Sequence, residues 1–243
     1  MSLKNPYFKE ITKLLEKIEQ TQSSALAAAA TAAAQTVKAG GIIYTLGSGH
    51  SHSVALEPFH RSGTLACISA VLDESFNFRP TAHAATEIER LEGYTPVLLR
   101  RHDIKKKDIF IIISNSGRNP AGIDAAIYAK KAGAKIIVIT ALSAHKTTRS
   151  RHSSGKMLRD FGDIVIDNCV RKQETALKLN GKDIAPVSTI AGAAIINDIM
   201  YNAARLLSRE GFAAPLYLSS NDGGDENNAK LAARYKGRIV FLS

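Results

Sequence analysis

Five short apolar runs rich in β-branched residues constrain this chain more than any other feature: Ile42 to Leu46, Ala66 to Leu72, Ile109 to Ile113, Ile136 to Ile139, and Asp163 to Ile166. Each is short enough for a strand buried on both faces. Between most of them lie helical patterns, at Ser53 to Ser62, Asn119 to Lys131 and Gly155 to Phe161. Strand, helix, strand alternation implies a parallel sheet covered on both faces, an α/β chain folded as a three-layer, doubly wound α/β/α sandwich. Ahead of the first run, Asn5 to Gln20 places Phe8, Ile11, Leu14, Leu15 and Ile18 at helical spacing, and Ser23 to Lys38 forms a second, alanine-rich helix that Gly40-Gly41 can terminate. A long helix is predicted from Ser188 to Arg209, bounded by Pro186 and Gly211. Its early face, Ala191 to Ala194, is small enough for another backbone to approach closely. Asn221 to Glu226 then reads as a polar turn before a short amphipathic helix around Ala229 to Tyr235. The organisation implied is one domain: a helical arm over 1–40, an α/β body over 41–215 and a tail over 216–243.

Composition narrows the setting. With 243 residues, 45% of them hydrophobic, the chain can bury one substantial core. The two cysteines, Cys67 and Cys169, lie far apart with no metal-type spacing and read as thiols of a cytoplasmic protein. No run of 18 apolar residues exists and Met1 to Glu10 lacks an apolar signal core, so neither secretion nor a membrane partner is expected. The formal charge of +10 suits nucleic acid or an anionic substrate and does not choose between them. Its densest groups, Arg100-Arg101-His102 and Lys105-Lys106-Lys107, immediately precede the run at Ile109 and read as a solvated turn at the amino edge of a sheet. Ligands of open α/β sheets gather at the opposite edge.

Two turns carry the chemistry. Gly47-Ser48-Gly49-His50-Ser51-His52 follows the first run, and Ser114-Asn115-Ser116-Gly117-Arg118-Asn119 follows the third. Each leads into helical spacing, so backbone N–H groups and the positive end of a helix dipole would face a small anion, most simply a phosphate. Hydroxyl and amide donors can wrap a phosphate without the desolvation a buried lysine would require. The plainer alternative is that these serines and asparagines only cap their helices.

Together with Thr140-Ala141-Leu142-Ser143 and the Ser188-Thr189 helix start, these turns resemble the SIS, or sugar isomerase, domain family over roughly residues 35 to 210. The resemblance implies a five-stranded parallel sheet of flavodoxin-like order, with the helical arm used to form a homodimer or homotetramer. It implies a phosphorylated sugar as ligand, the phosphate held by Ser114, Asn115, Ser116, Asn119 and Ser51. Sugar hydroxyls would be met by Gly49, His50, Ser51 and the Ser188-Thr189 helix start, with Ser48 in the same turn. Phosphoheptose isomerases resemble the chain at the first turn, but carry a His and a Glu one helical turn apart where this sequence has Glu57 and Arg61. A heptose isomerase therefore does not follow.

Aldose–ketose isomerisation needs a base beside the carbonyl and an acid to relay the proton. Glu57, six residues beyond Ser51, is the expected base, with His50 or His52 as acid or ring-opening group. Glu57 can alternatively pair with Arg61 at the i, i+4 spacing. His50, His52 and Glu57 are also metal-ligand types, but no further cluster completes a shell, so neither a metal nor another cofactor is expected. Asp222, Asp225 and Glu226 lack an EF-hand spacing. The alternatives to an isomerase are a SIS-type lyase or etherase on an amino-sugar phosphate and a non-catalytic sugar-phosphate sensor. A sensor that binds DNA would need a helix-turn-helix ahead of the sheet, and Met1 to Lys38 offers few basic side chains for a groove; no nucleic acid is expected as partner.

Overall fold

The computed structural model describes residues 5–79, 81–145 and 147–242. The five apolar runs form one parallel sheet: β1 (Ile43–Gly47), β2 (Ile68–Ala70), β3 (Ile109–Ile113), β4 (Lys135–Thr140) and β5 (Ile164–Asp167), in the order β2-β1-β3-β4-β5. Every residue of β1, β2 and β3 is buried, which is why their sequences run apolar without alternation. Register is continuous across the centre, Ile43 and Gly47 of β1 lying opposite Ile109 and Ile113 of β3.

Helices cover both faces, as the alternation implies. On one side α1 (Pro6–Lys38) and α2 (His50–Leu56) lie against the sheet, and both pack on α7 (Ser188–Arg209). The other side carries α3 (Ala82–Ile88), α4 (Tyr94–Leu99) and α5 (Pro120–Lys131), with the one-turn α6 (Leu142–His145) after β4. The small face of α7 does admit a neighbour. A Cβ on Gly192 would stand 3.0 Å from both Val54 methyl groups of α2.

Three local readings change. The two N-terminal helices are one continuous 33-residue helix. Thr21-Gln22-Ser23 holds no glycine or proline to break it, and the Gln22 side chain accepts the Asp167 N–H at 3.0 Å instead of ending the helix. The helix expected over Ser53 to Ser62 starts at His50 and stops at Leu56: Pro58 has no N–H to continue the ladder, and after Glu57, which keeps helical angles as the cap, the chain turns at His60 with φ +46°. Gly155 to Phe161 contributes only the 3₁₀ turn Leu158–Phe161. Between β5 and α7 an antiparallel hairpin, β6 (Thr175–Leu179) with β7 (Lys182–Pro186), turns through Asn180-Gly181, both at positive φ. The tail returns to the body through backbone bonds from Ala66 N–H to Pro215 and from Tyr217 N–H to Thr64, and carries α8 (Asp225–Tyr235) and a last 3₁₀ turn at Val240–Leu242.

Part of the basic surface at the amino edge has a local cause. Arg100 caps α4, and Lys130 and Lys131 occupy the last turn of α5, where cations offset the negative end of a helix dipole.

Candidate functional site

In a sheet of this order the chain leaves β1 and β3 in opposite directions, and the crevice that opens at their carboxyl ends is where doubly wound folds place ligands. Both serine-rich turns arrive there. Ser48, Gly49, His50 and Ser51 from β1 and Ser114, Asn115, Ser116 and Asn119 from β3 line a single cleft of about 230 Å³.

The first turn is built by close approach. A Cβ on Gly47 would stand 2.3 Å from the Ser51 carbonyl oxygen, so only glycine lets the strand end fold back over the turn. Gly49 takes φ +58°, a conformation L side chains rarely adopt, and donates its N–H to the Phe76 carbonyl at 2.8 Å. The second turn is pinned by the end of β4: Thr140 Oγ1 donates to the Ser114 carbonyl at 2.7 Å, and Ala141 N–H to the Asn115 carbonyl at 3.1 Å. Asn168 Nδ2 donates to Asn115 Oδ1 at 2.8 Å, while Asn115 Nδ2 is buried with no hydrogen-bond partner.

Neither turn serves mainly as a cap. Asn119 and Gly49 sit at the N-cap positions of α5 and α2, and neither helix receives a side-chain cap bond. Asn119 points its amide at the cleft instead, donating to Glu89 Oε1 at 2.8 Å. Ser114 does brace its own turn, its Oγ accepting the Gly117 N–H at 3.1 Å.

Two carboxylates on the cleft wall escaped the sequence reading. Glu89, at the end of α3, accepts Ser48 Oγ at 3.1 Å on its other oxygen, and its carbonyl accepts the Ala121 N–H of α5 at 3.1 Å. Burial lifts its carboxyl above the usual range; the Ser48 hydrogen bond and the charges of Arg90 and Arg151 oppose that, and the charge of Glu174 adds to it. Glu174 is the second. It adopts φ +63° ahead of β6, its carbonyl accepts the Val187 N–H at 3.0 Å, and Ser188 Oγ lies 3.5 Å from its Oε2. No helix periodicity marks residues 82–89, so nothing local signals Glu89. The Asn180-Gly181 dipeptide was the available signal for the hairpin behind Glu174.

An aromatic rim closes the mouth, the His50 and Phe78 rings 5.1 Å apart and Phe78 44% exposed. Ser188 lines the cleft and Thr189 does not. Glu57 does not line it either. Its carboxylate accepts from Arg61 and, at 3.2 Å, from Asn197 Nδ2 of α7, the ion pair weighed as its alternative role. His52 is buried beneath the turn with Nε2 unpartnered, and burial pulls its imidazole below the usual range against the charge of Asp73. Among the described residues no three His, Cys, Asp or Glu side chains are grouped to hold a metal ion. No helix there is long and apolar enough to cross a membrane.

A five-stranded parallel sheet carrying paired hydroxyl- and amide-lined turns at its switch point defines an open α/β domain built around a polar ligand cleft. The chain belongs to the SIS-domain family, whose model matches residues 6–141. It is 38% identical to a UPF0309 protein of Listeria innocua, over 98% of each chain. Among solved structures it is similar to a phosphoheptose isomerase of Neisseria gonorrhoeae, with a TM-score of 0.53 at 16% identity over 82% of this chain and 95% of that one. The sugar isomerase domain of an RpiR transcription factor from Sphaerobacter thermophilus is similar with a TM-score of 0.51 at 15% identity, over 95% and 96% of the two chains. At these identities the likeness to the solved structures is one of fold.

Proposed function

We propose that the cleft binds a phosphorylated sugar and that the protein is an aldose–ketose isomerase, with Glu89 as the group that moves the proton beside the carbonyl. The observation that carries this reading is the convergence of both turns, with their unpartnered Asn115 amide, on one cleft that also holds a carboxyl raised by burial. The phosphate is assigned to Ser114–Asn119 and Ser51, where hydroxyl and amide donors meet the amino end of α5. Glu89 is suited to general base work because a carboxyl with a raised pKa takes a proton more readily near neutral pH. Proton removal gives an enediolate; transfer of the hydroxyl proton to the former carbonyl oxygen and return of the carbon-bound proton to the former carbonyl carbon give the other isomer. His50, held at the mouth by Phe78, is assigned to ring opening, and Glu174 with Ser188 to the sugar hydroxyls on the facing wall. The protein acts as a homo-oligomer, a reading supported by exposed Phe8 on α1 and Leu179 and Ile184 on the hairpin. The free thiols of Cys67 and Cys169 suit the cytoplasm.

The test is turnover of a panel of hexose, hexosamine and muramyl phosphates in heavy water. Incorporation of deuterium beside the carbonyl with no loss of a side group supports the isomerase. Release of a side group assigns the same site to elimination, and binding without any exchange leaves only a sensor.

A further inference from the structure

We propose that Arg118 and Arg151 form a second anion seat beside the phosphate turn, so that the ligand carries two anionic groups: a phosphate monoester against Ser114–Asn119, and a carboxylate or second phosphate at the guanidiniums. The proposal rests on the phosphosugar reading and narrows it.

Arg118 belongs to the turn itself, and its carbonyl accepts the Arg151 N–H at 2.9 Å, which holds the two residues side by side. Arg151 Nη1 donates to Asn119 Oδ1 at 2.9 Å, so this guanidinium stands directly behind a residue of the cleft wall. Among the described residues no carboxylate pairs with either arginine. Arg90, the third guanidinium nearby, is engaged by Glu87 at 3.6 Å, and Glu89 is committed to Ser48 and Asn119. Arg118 Nε is buried without a hydrogen-bond partner, an arrangement folded chains normally avoid because a desolvated donor on a charged group is costly.

Electrostatics agree. Burial first, and then the charges of Arg118 and Arg90, hold the Arg151 guanidinium below its usual range, against the pull of Glu89. An oxyanion placed between Arg118 and Arg151 takes the outer Nη–H donors, the Arg118 Nε staying sealed behind them, and removes the repulsion. Guanidinium donors match carboxylate and phosphate oxygens in pairs. The basic groups at the amino edge of the sheet offer no comparable case: Lys105 pairs with Asp103 at 2.7 Å and Arg101 donates to the Leu72 carbonyl at 2.7 Å.

Isothermal titration of the full chain with fructose 6-phosphate, fructose 1,6-bisphosphate and 6-phosphogluconate tests the seat. A charge-assisted contact predicts at least one two-anion ligand binding about 10-fold more tightly than the monophosphate. The bisphosphate or the gluconate, whichever gains, identifies the second group. In Arg118→Gln and in Arg151→Gln that ratio falls to about 2-fold or less, and Arg151→Lys restores part of it through charge alone. A ratio near one in the wild type, or a ratio that survives both glutamine substitutions, overturns the proposal while leaving the phosphosugar reading intact. Failure of all three ligands to bind the folded wild type overturns the phosphosugar reading itself, and the seat with it.

Discussion

Gly47→Ala couples the fold to the cleft through a single methyl group. The new Cβ would stand 2.3 Å from the Ser51 carbonyl oxygen and 2.5 Å from its carbon, whereas real Cβ contacts are essentially never under 3.0 Å, so the turn must retreat by about 0.7 Å. The obstacle is backbone, which cannot swing aside as a side-chain tip can. Ser51 N–H bonds the Ser48 carbonyl at 3.1 Å, so Ser48 moves too and its 3.1 Å bond to Glu89 is stretched or lost. Overpacking of this kind costs about 1–3 kcal/mol, which lowers Tm by roughly 2–4 °C per kcal/mol in a chain of this size. Displacement by nearly an ångström at a catalytic site costs turnover on the order of 10²-fold. The assay pairs thermal unfolding with sugar-phosphate titration and turnover. Gly237→Ala serves as control, because its Cβ meets open space and its φ is ordinary. Wild-type affinity and turnover in Gly47→Ala would refute the claim that this close approach sets the first turn.

Four further outcomes follow from individual side chains. Because burial raises the Glu89 carboxyl, the folded state holds that proton more tightly than the unfolded one; its stabilising effect is full below the unfolded pKa and is lost as pH rises through the folded pKa. Glu89→Gln should therefore raise Tm relative to wild type at about pH 8 and not at about pH 4, while turnover falls by about 10²-fold or more; a lowered Tm at the higher pH would count against it. Glu57→Gln, which removes a partly exposed ion pair, should shift stability by only about 0–1 kcal/mol in urea unfolding and leave sugar-phosphate affinity near wild type. His102, 3% exposed against the edge of Tyr44, is pulled from 6.5 down to about 4, chiefly by burial and then by Arg101. The unfolded chain takes that proton first, so stability on the order of 3 kcal/mol is present above pH 6.5 and lost as pH falls towards 4, and His102→Phe should flatten this acid limb of urea midpoints against pH. Asp108 accepts Ile42 N–H at 2.8 Å, Lys105 N–H at 2.7 Å and Arg238 Nη2 at 2.8 Å while 1% exposed, so Asp108→Ala should cost about 3–5 kcal/mol by chemical denaturation.

The sheet was legible because its strands are buried on both faces, and burial leaves a direct trace in composition: Ile109 to Ile113 can be little else. Both turns were legible for the same local reason, since Ser, Asn and Gly directly after such a run have few other uses. Helix α7 was bounded to the residue by Pro186 and Gly211, whose backbone limits act within one or two positions. What failed to show were features decided across space. The role of Gln22 within α1 depends on Asp167, 145 positions beyond it, whose N–H its side chain accepts. Glu57 and Glu89 are both glutamates at helix ends, and only the packing of α7 against one and α5 against the other separates an ion pair from a cleft carboxyl. The hairpin was missed although a short-range signal, Asn180-Gly181, marks its turn.

That hairpin has a consequence for how the binding cleft can change over time. It enters and leaves the body at neighbouring points, pairs its two strands with each other, and stands between Glu174 and Ser188 on one wall of the cleft. Lengthening, trimming or exchanging its tip redraws that side without disturbing a single rung of the five-stranded ladder. The sheet fixes the two serine-rich turns, and the hairpin is free to vary the wall that faces them.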